Sequence, residues 1–203
     1  MRFFSLVLFI GILNISNSWA SEASVGTTIK ASGQTSTFRR NLIFSQRKDD
    51  PVFWLDELRT GPASRMEIVF IDETRLQLGD HAKLVIDELV YEPNAKGKAL
   101  FTLSQGVFRM VSGALNKIKG STFTVRTPLA TIGVRGTDFW GHQTDKKLTM
   151  ALLDNGVLEI ETPKGRITLD QPLSAVVIEA GKEISQPFTL TEEQVRQARG
   201  TVE

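Results

Sequence analysis

The stretch from Phe123 to Gly141 constrains the fold more than any other part of the chain. Apolar and polar residues alternate over Phe123–Arg126, a period of two that predicts a half-buried strand. Thr127-Pro128 interrupts this pattern, because proline has no N–H and biases the preceding residue toward extended geometry. A second short strand is predicted over 130–134, where glycine marks a bulge or a close approach of another group. The spacing therefore indicates short strands separated by tight turns.

The run from Arg126 to Phe139, which reads RTPLATIGVRGTDF, resembles the signature of the FecR domain family, named for a ferric-citrate transport regulator. Weaker upstream features of the family are found at Leu58–Gly61, Ser64-Arg65 and Asp72–Leu76, so the resemblance extends from about Val25 to Ile184. It implies an all-β periplasmic domain that serves signalling or cell-envelope interactions and has no known catalytic activity.

The N-terminus has the features of a secretory signal. Arg2 gives a positive start, residues 3–15 are almost wholly apolar, and Ser18 and Ala20 place small residues at the two positions that a signal peptidase reads. The apolar run is shorter than the roughly 20 residues that span a bilayer. We therefore predict a signal peptide over residues 1–20 and a periplasmic location for the rest of the chain.

The charge balance excludes some classes of partner. Of 24 basic and 23 acidic side chains, only Arg2 lies within residues 1–20, so the remainder balances to zero. Nucleic-acid binding requires a basic stripe that displaces counterions, and no nucleic-acid partner is expected. The chain has no cysteine, so its stability must come from the core alone.

The chain predicts strands and turns that recur about every ten residues, which favours a sandwich, a barrel or a β-solenoid. We expect Thr35–Phe44 to be a single strand returning after the Ser32-Gly33 turn. Two paired strands are expected on either side of Gly106. Asn155-Gly156 lies between two apolar runs and predicts a hairpin.

The predicted fold class is all-β, with short strands in a solenoid-like stack or sandwich and one short C-terminal helix. Thr191 and Gln194 form a capping-box pattern at the start of that helix, and Gly200 ends it. The predicted division is a signal peptide (1–20), a FecR-like all-β domain (21–188) and a helical tail (189–203).

The sequence contains no recognisable catalytic or cofactor signature. His81 and His142 lie beside turn residues without a plausible nucleophile, and the pairs Asp80/His81 and Asp138/His142 fall short of the three or four ligands of a zinc site. We predict no enzymatic activity, no cofactor and no metal.

The signature itself supplies the candidate interaction residues, which are Arg126, Thr127, Pro128, Arg135, Gly136, Asp138, Phe139 and Trp140. Two interpretations are open. Arg135 and Asp138 could present a surface to a protein partner, with an aromatic anchor beside them. The favoured interpretation is that Arg135 points inward and pairs with Asp138 to join adjacent turns, since a guanidinium satisfies several buried acceptors at once. Trp140 is likewise interpreted as a core residue.

The predicted function is a non-enzymatic protein-binding module in envelope signalling or regulation, with a periplasmic or envelope protein as its partner. A structural or glycan-binding envelope protein is the alternative, which exposure of Trp54, Tyr91 and Trp140 would favour. FecR-type regulators carry a cytoplasmic anti-sigma segment and a membrane helix before the periplasmic domain. Here the predicted signal leads directly into the domain, so direct control of a sigma factor across the membrane is not expected. No residue of the sequence points to iron specificity, and a link to iron stays open. A homo-oligomer is possible because sheet edges invite pairing.

Overall fold

The computed structural model describes residues 23–203; the predicted signal peptide at 1–20 lies outside them. The described chain forms a series of short strands and ends in one α-helix. The strands are β1 (Gly26–Ser32), β2 (Thr35–Arg39), β3 (Leu42–Ser45), β4 (Pro51–Val52), β5 (Glu57–Thr60), β6 (Arg65–Phe70), β7 (Arg75–Leu78), β8 (Lys83–Val90), β9 (Lys98–Val111), β10 (Thr122–Arg126), β11 (Thr131–Arg135), β12 (Asp138–Gln143), β13 (Lys147–Leu152), β14 (Val157–Thr162), β15 (Gly165–Leu169), β16 (Ser174–Glu179) and β17 (Phe188–Thr189), and the helix is α1 (Glu192–Gly200). A 3₁₀ turn (Ala114–Lys117) precedes β10.

The strands form two open layers. The first layer has the order β4-β1-β6-β7-β9-β12-β13-β16-β17. The second has the order β3-β2-β5-β8-β9-β10-β11-β14-β15. The β9–β10 pair is parallel, whereas the other pairs are antiparallel. The all-β prediction is confirmed.

Strand β9 belongs to both layers and joins them. Its first half pairs with β8 and β10, and its second half pairs with β7 and β12. The bend lies at Gly106, whose φ is +95° and whose missing side chain leaves room for the main chain of Ala82. The expectation of two strands paired around Gly106 was wrong, because each half finds its partners in a different layer.

The chain passes repeatedly from one layer to the other, after a single strand or a hairpin. The result is a sandwich whose chain path resembles that of a β-solenoid. The Asn155-Gly156 turn is one of the crossings. The predicted hairpin there was wrong, because β13 pairs with β12 and β16 while β14 pairs with β11 and β15. The turn residues favoured a reversal, but each strand instead forms a hairpin with its other neighbour in sequence and also pairs with a more distant strand, β16 or β11.

The region between Thr35 and Phe44 also differs from the sequence prediction. It forms the β2–β3 hairpin rather than one strand, with a turn at Arg40 and Asn41, whose φ angles are +49° and +65°. Two consecutive positive φ values are typical of a two-residue hairpin turn whose twist matches that of the strands. β2 then pairs with β5 and not with β1, which makes β3 the edge of the second layer.

The core lies between the two layers and follows the period-two pattern of the strands. Phe101 is fully buried at its centre, with its ring centroid 5.3 Å from that of Phe70 and 5.5 Å from that of Phe123. Phe108 and Phe139 make an edge-to-face contact at 6.0 Å on the first-layer side. These large apolar side chains supply the burial that a chain without disulfides requires.

The C-terminal segment packs on the outer face of the first layer. Thr191 and Gln194 make the predicted capping box at the start of α1, and the helix ends at Gly200 as expected. Ala198 and Val202 are buried. The Nζ of Lys30 in β1 donates to the main-chain oxygen of Glu203 at 2.9 Å, which fixes the tail against the sheet.

Candidate functional site

The first half of the signature forms the β10–β11 hairpin. Its tip is a tight turn held by Thr127, whose Oγ1 accepts hydrogen bonds from the main-chain N–H groups of Leu129 and Ala130 at 3.2 and 3.0 Å. Arg126 and Pro128 are exposed on either side of this threonine. The structure therefore gives Thr127 a local structural role and leaves Arg126 and Pro128 on the surface.

Arg135 lies at the other end of the hairpin and points outward. Its Nη2 donates to Oε1 of Glu159 in β14 at 2.6 Å, and its side chain is 71% exposed. The favoured interpretation, an inward Arg135 paired with Asp138, was wrong. The exposed Gly136 follows with a φ of +50°, and this turn separates Arg135 on the second layer from Asp138 on the first.

Asp138 is instead paired with Arg109 in the neighbouring strand β9. The Nε and Nη2 of Arg109 donate to the two carboxylate oxygens at 2.8 and 2.6 Å. The two side chains are only 14% and 11% exposed. The hydrogen bond to Asp138 raises the pKa of Arg109, against an opposing effect of burial. Arg199 of α1 also lies 3.7 Å from Asp138, so the pair links the sheet to the C-terminal segment.

The two aromatic residues of the signature lie on opposite faces of β12. Phe139 is fully buried between the layers. Trp140 faces outward and is half-buried against the small cluster of Ala151, Leu153 and Ala175, and its Nε1–H donates to Oγ1 of Thr201 at 3.0 Å. The C-terminal segment therefore covers Trp140, which packs outside the main core.

A groove runs over the outer face of the second layer, beside the signature hairpin. It has a volume of about 530 Å³. Its floor contains Thr124, Gly133 and Glu159, which are cross-strand neighbours in β10, β11 and β14. The 3₁₀ turn and the loop after it form one wall, to which they contribute Asn116 and Lys119 respectively. The groove brings together polar side chains that lie far apart in the sequence.

An exposed apolar surface at the edge of the second layer was missed by sequence reasoning. It comprises Leu42, Ile43, Phe44, Trp54 and Leu55, which we call the apolar edge patch. These side chains are 60%, 68%, 44%, 51% and 62% exposed. The sequence signal that could have revealed the β3 edge is Asn41, because asparagine tolerates the left-handed conformation of a hairpin turn.

Arg39 connects the two parts of the apolar edge patch. Its guanidinium carbon lies 5.6 Å from the ring centroid of Phe44 and 4.2 Å from that of Phe53, the residue before Trp54. The same guanidinium pairs with the buried carboxylate of Asp56 at 2.5 and 2.7 Å. The patch is therefore supported by a fixed cation and a buried ion pair.

The aromatic and histidine side chains considered in the sequence are dispersed. Trp54 is exposed, whereas Tyr91 is half-buried and packs against the core. His142 lies beside the Trp140 ring, with centroids 6.4 Å apart. Partial desolvation of the imidazole lowers the pKa of His142, although the side chain is exposed, and the charge of Lys147 lowers it further. Within residues 23–203, no three His, Asp or Glu side chains lie together as metal ligands.

A known protein family matches the region that contains the signature. A model of the FecR protein family matches residues 56–158, from the start of β5 into β14, which is about half of the chain. The chain belongs to the FecR protein family. Family membership supports a role in signalling or regulation. The apolar edge strand β3 lies before the matched region, whereas the groove lies mostly within it.

Solved structures confirm the fold of this FecR protein. Two crystal structures of a "putative anti-sigma factor" from Parabacteroides distasonis ATCC 8503 are similar, with TM-scores of 0.56 and 0.53 and identities of 18% and 19%. Each match covers 69% of this chain and 62% of the other, so the likeness concerns the fold of the shared part.

A search of curated proteins finds no match. Among the residues that the structure describes, no helix has the length and apolar character needed to cross a membrane.

Proposed function

We propose that this FecR protein is a non-enzymatic, periplasmic protein-binding module of an envelope signalling or regulatory system. Residues 1–20 act as the export signal, 21–188 form the binding domain and 189–203 form a helical tail. The apolar run at 3–15 and the small residues before Ser21 support export. The partner is a protein of the periplasm or envelope.

The apolar edge patch is the observation that carries this proposal. Five large apolar side chains are at least 44% exposed within two short segments, residues 42–44 and 54–55. Large exposed apolar side chains concentrated at one edge of a sheet are typical of interaction sites in soluble proteins. Tryptophan is among the residue types that dominate binding energy at interfaces, and Trp54 is held in position by its Nε1–H, which donates to the main-chain oxygen of Asp87.

The edge of the second layer strengthens the argument. Among the described residues, β3 pairs only with β2, so its other side presents main-chain N–H and C=O groups. Proteins usually protect such an edge with charged residues, proline or a bulge, and the segment Leu42–Ser45 contains no charge and no proline. Addition of a strand from a partner would satisfy these groups and cover the apolar side chains.

Two other functions, glycan binding and catalysis, receive less support. A glycan-binding site would use exposed aromatic rings, but Tyr91 and Trp140 are half-buried and only Trp54 of the three is exposed. An enzyme would require Asp138 and His142 to act together. Both oxygens of Asp138 accept hydrogen bonds from Arg109, which supports a structural role for this carboxylate.

Cross-linking from the patch tests the proposal. A photoreactive amino acid at position 43 of the full chain should give a defined protein adduct in its native envelope. Ile43→Lys should abolish co-purification of that protein, because a charge in the patch would be buried without a partner. The control is Ile71→Lys, since Ile71 is 47% exposed in the turn between β6 and β7.

The melting temperatures distinguish binding from folding. Both substitutions replace exposed side chains, so both variants should melt within a few degrees of the wild type, as surface substitutions usually change stability by at most about 0.5 kcal/mol. Equal retention of the cross-linked protein by Ile43→Lys and Ile71→Lys would exclude the patch as the binding surface. Adducts with glycan material alone would favour the alternative function.

A further inference from the structure

The groove beside the signature hairpin contains a glycine that the fold does not require. Gly133 occupies an outward position in β11, and its φ lies outside the left-handed region. A Cβ atom there would meet Cβ of Glu159 at 3.7 Å, an ordinary van der Waals contact. Glycine weakens a strand because it loses more conformational freedom than other residues. The fold therefore accepts a less stable strand and gains an open depression at this point.

The groove also has a polar group without a partner. The side-chain Nδ2 of Asn116 is buried and makes no hydrogen bond within the described residues, and Asn116 lines the groove. A buried donor without an acceptor is costly. A turn of the Asn116 side chain toward the groove would let a ligand oxygen accept from this donor and would remove the cost.

The charges around the groove specify the kind of acceptor. Lys119 lines it and Arg135 lies at its end, while the side chain of Lys96 lies against Gly120 in the wall. The one carboxylate in the lining, Glu159, is already paired with Arg135 at 2.6 Å. The charges of Arg135 and Glu159 therefore offset each other, and Lys119 is the lining charge that has no ion-pair partner among residues 23–203. This net positive charge attracts an anionic ligand.

The form of the groove favours a peptide over a small molecule. Sites for small molecules enclose most of the ligand, but here the Arg135 and Glu159 side chains are 71% and 45% exposed. The lining extends from the wall loop across three strands, β10, β11 and β14. An extended segment can lie across such a surface and place one side chain in the depression at Gly133.

We propose that this groove binds a short acidic segment of a partner protein, with an Asp or Glu carboxylate placed over Gly133 and held by Lys119, Arg135 and Asn116. The proposal rests on the protein-binding function proposed above but concerns a separate surface. The β3 part of the apolar edge patch lies at one edge of the second layer, whereas β14 lies beside β15 at the other edge.

A purified peptide tests the groove independently of the apolar edge patch. The probe is fluorescein-labelled Gly-Glu-Glu-Glu-Gly, and the control probe carries Gln in place of Glu. We expect the acidic peptide to bind the full chain, to bind more weakly as salt is raised, and to shift the NMR amide signals of Thr124 and Gly133. The Gln peptide should bind about tenfold more weakly, because charge-assisted hydrogen bonds are lost.

Variants locate the site. Gly133→Val should abolish peptide binding without lowering the melting temperature, because a β-branched residue fits an outward strand position. Lys119→Gln should weaken binding by about tenfold, whereas Lys146→Gln, an exposed lysine in the β12–β13 loop, should leave it unchanged. Ile43→Lys should also leave peptide binding unchanged, even if the apolar edge patch proves inactive.

Three results would overturn the proposal. The first is equal binding of the Glu and Gln peptides. The second is wild-type affinity in both Gly133→Val and Lys119→Gln. The third is binding of free glutarate, and not of the peptide, with the same dependence on these two residues, since the groove would then be a small-molecule site.

Discussion

Replacement of Asp138 by alanine should cause a large loss of stability. The carboxylate accepts two hydrogen bonds from Arg109, at 2.8 and 2.6 Å, and the two side chains are 14% and 11% exposed. Breaking a buried ion pair from one side costs about 3–5 kcal/mol, because the remaining charge is left unpaired. Gln77 Oε1 at 3.0 Å and Glu203 Oε1 at 3.6 Å still contact the guanidinium, so we expect the lower end, about 3 kcal/mol.

The measurement is urea unfolding followed by tryptophan fluorescence, with thermal melting in parallel. A loss of about 3 kcal/mol should lower the melting temperature by roughly 6–12 °C in a domain of this size, and the urea dependence should keep its slope. Arg135→Ala is the matched control. The exposed pair of Arg135 with Glu159 should contribute at most about 1 kcal/mol, although Arg135 belongs to the same signature as Asp138.

A double-mutant cycle separates the pair from its surroundings. The double variant Arg109→Met/Asp138→Ala should be less destabilised than the sum of the single changes by about 2 kcal/mol, since neither member of the buried pair is then left without the other. If Asp138→Ala and Arg135→Ala lose similar, small amounts of stability, the buried pair does not have the structural role assigned to it.

Two other predictions concern the bend in β9 and the histidine beside Trp140. Gly106→Ala should destabilise the protein by more than about 1 kcal/mol in urea unfolding, because a Cβ would lie 2.2 Å from Cα of Ala82 at a φ of +95°; an unchanged midpoint would contradict the described bend. Partial desolvation and Lys147 lower the pKa of His142, with Asp80 opposing, so the unfolded chain takes up the proton first as the pH falls below about 6.5. Stability should therefore decrease below that pH, and His142→Gln should reduce this dependence; identical profiles for variant and wild type would exclude His142 as its source.

The local pattern of the sequence was sufficient to predict the class of the fold. Alternation of apolar and polar residues predicted β10, a second short strand was predicted where β11 lies, and the capping pattern at Thr191 predicted the start of α1. These features depend on neighbours within a few residues, and the physical preferences involved act at that range. The family signature was likewise a contiguous run, so it could be recognised without a structure.

The pairing of strands and of charges was decided only by the tertiary structure. Asn155-Gly156 has the composition of a hairpin turn, yet β13 joins β12 and β16 in the first layer while β14 joins β11 and β15 in the second. Arg135 and Asp138 are three residues apart, but the turn at Gly136 places them on different layers, where Glu159 and Arg109 are their partners.

Both proposed binding surfaces form only when segments distant in sequence come together. Asn116, Gly133 and Glu159 meet in one groove, and β3 becomes an uncovered edge, only after the layers have assembled. The sequence by itself determined which segments form strands, because strand formation depends on short-range alternation. The tertiary structure decided which residues share a surface, because burial and hydrogen bonding select partners across the whole chain.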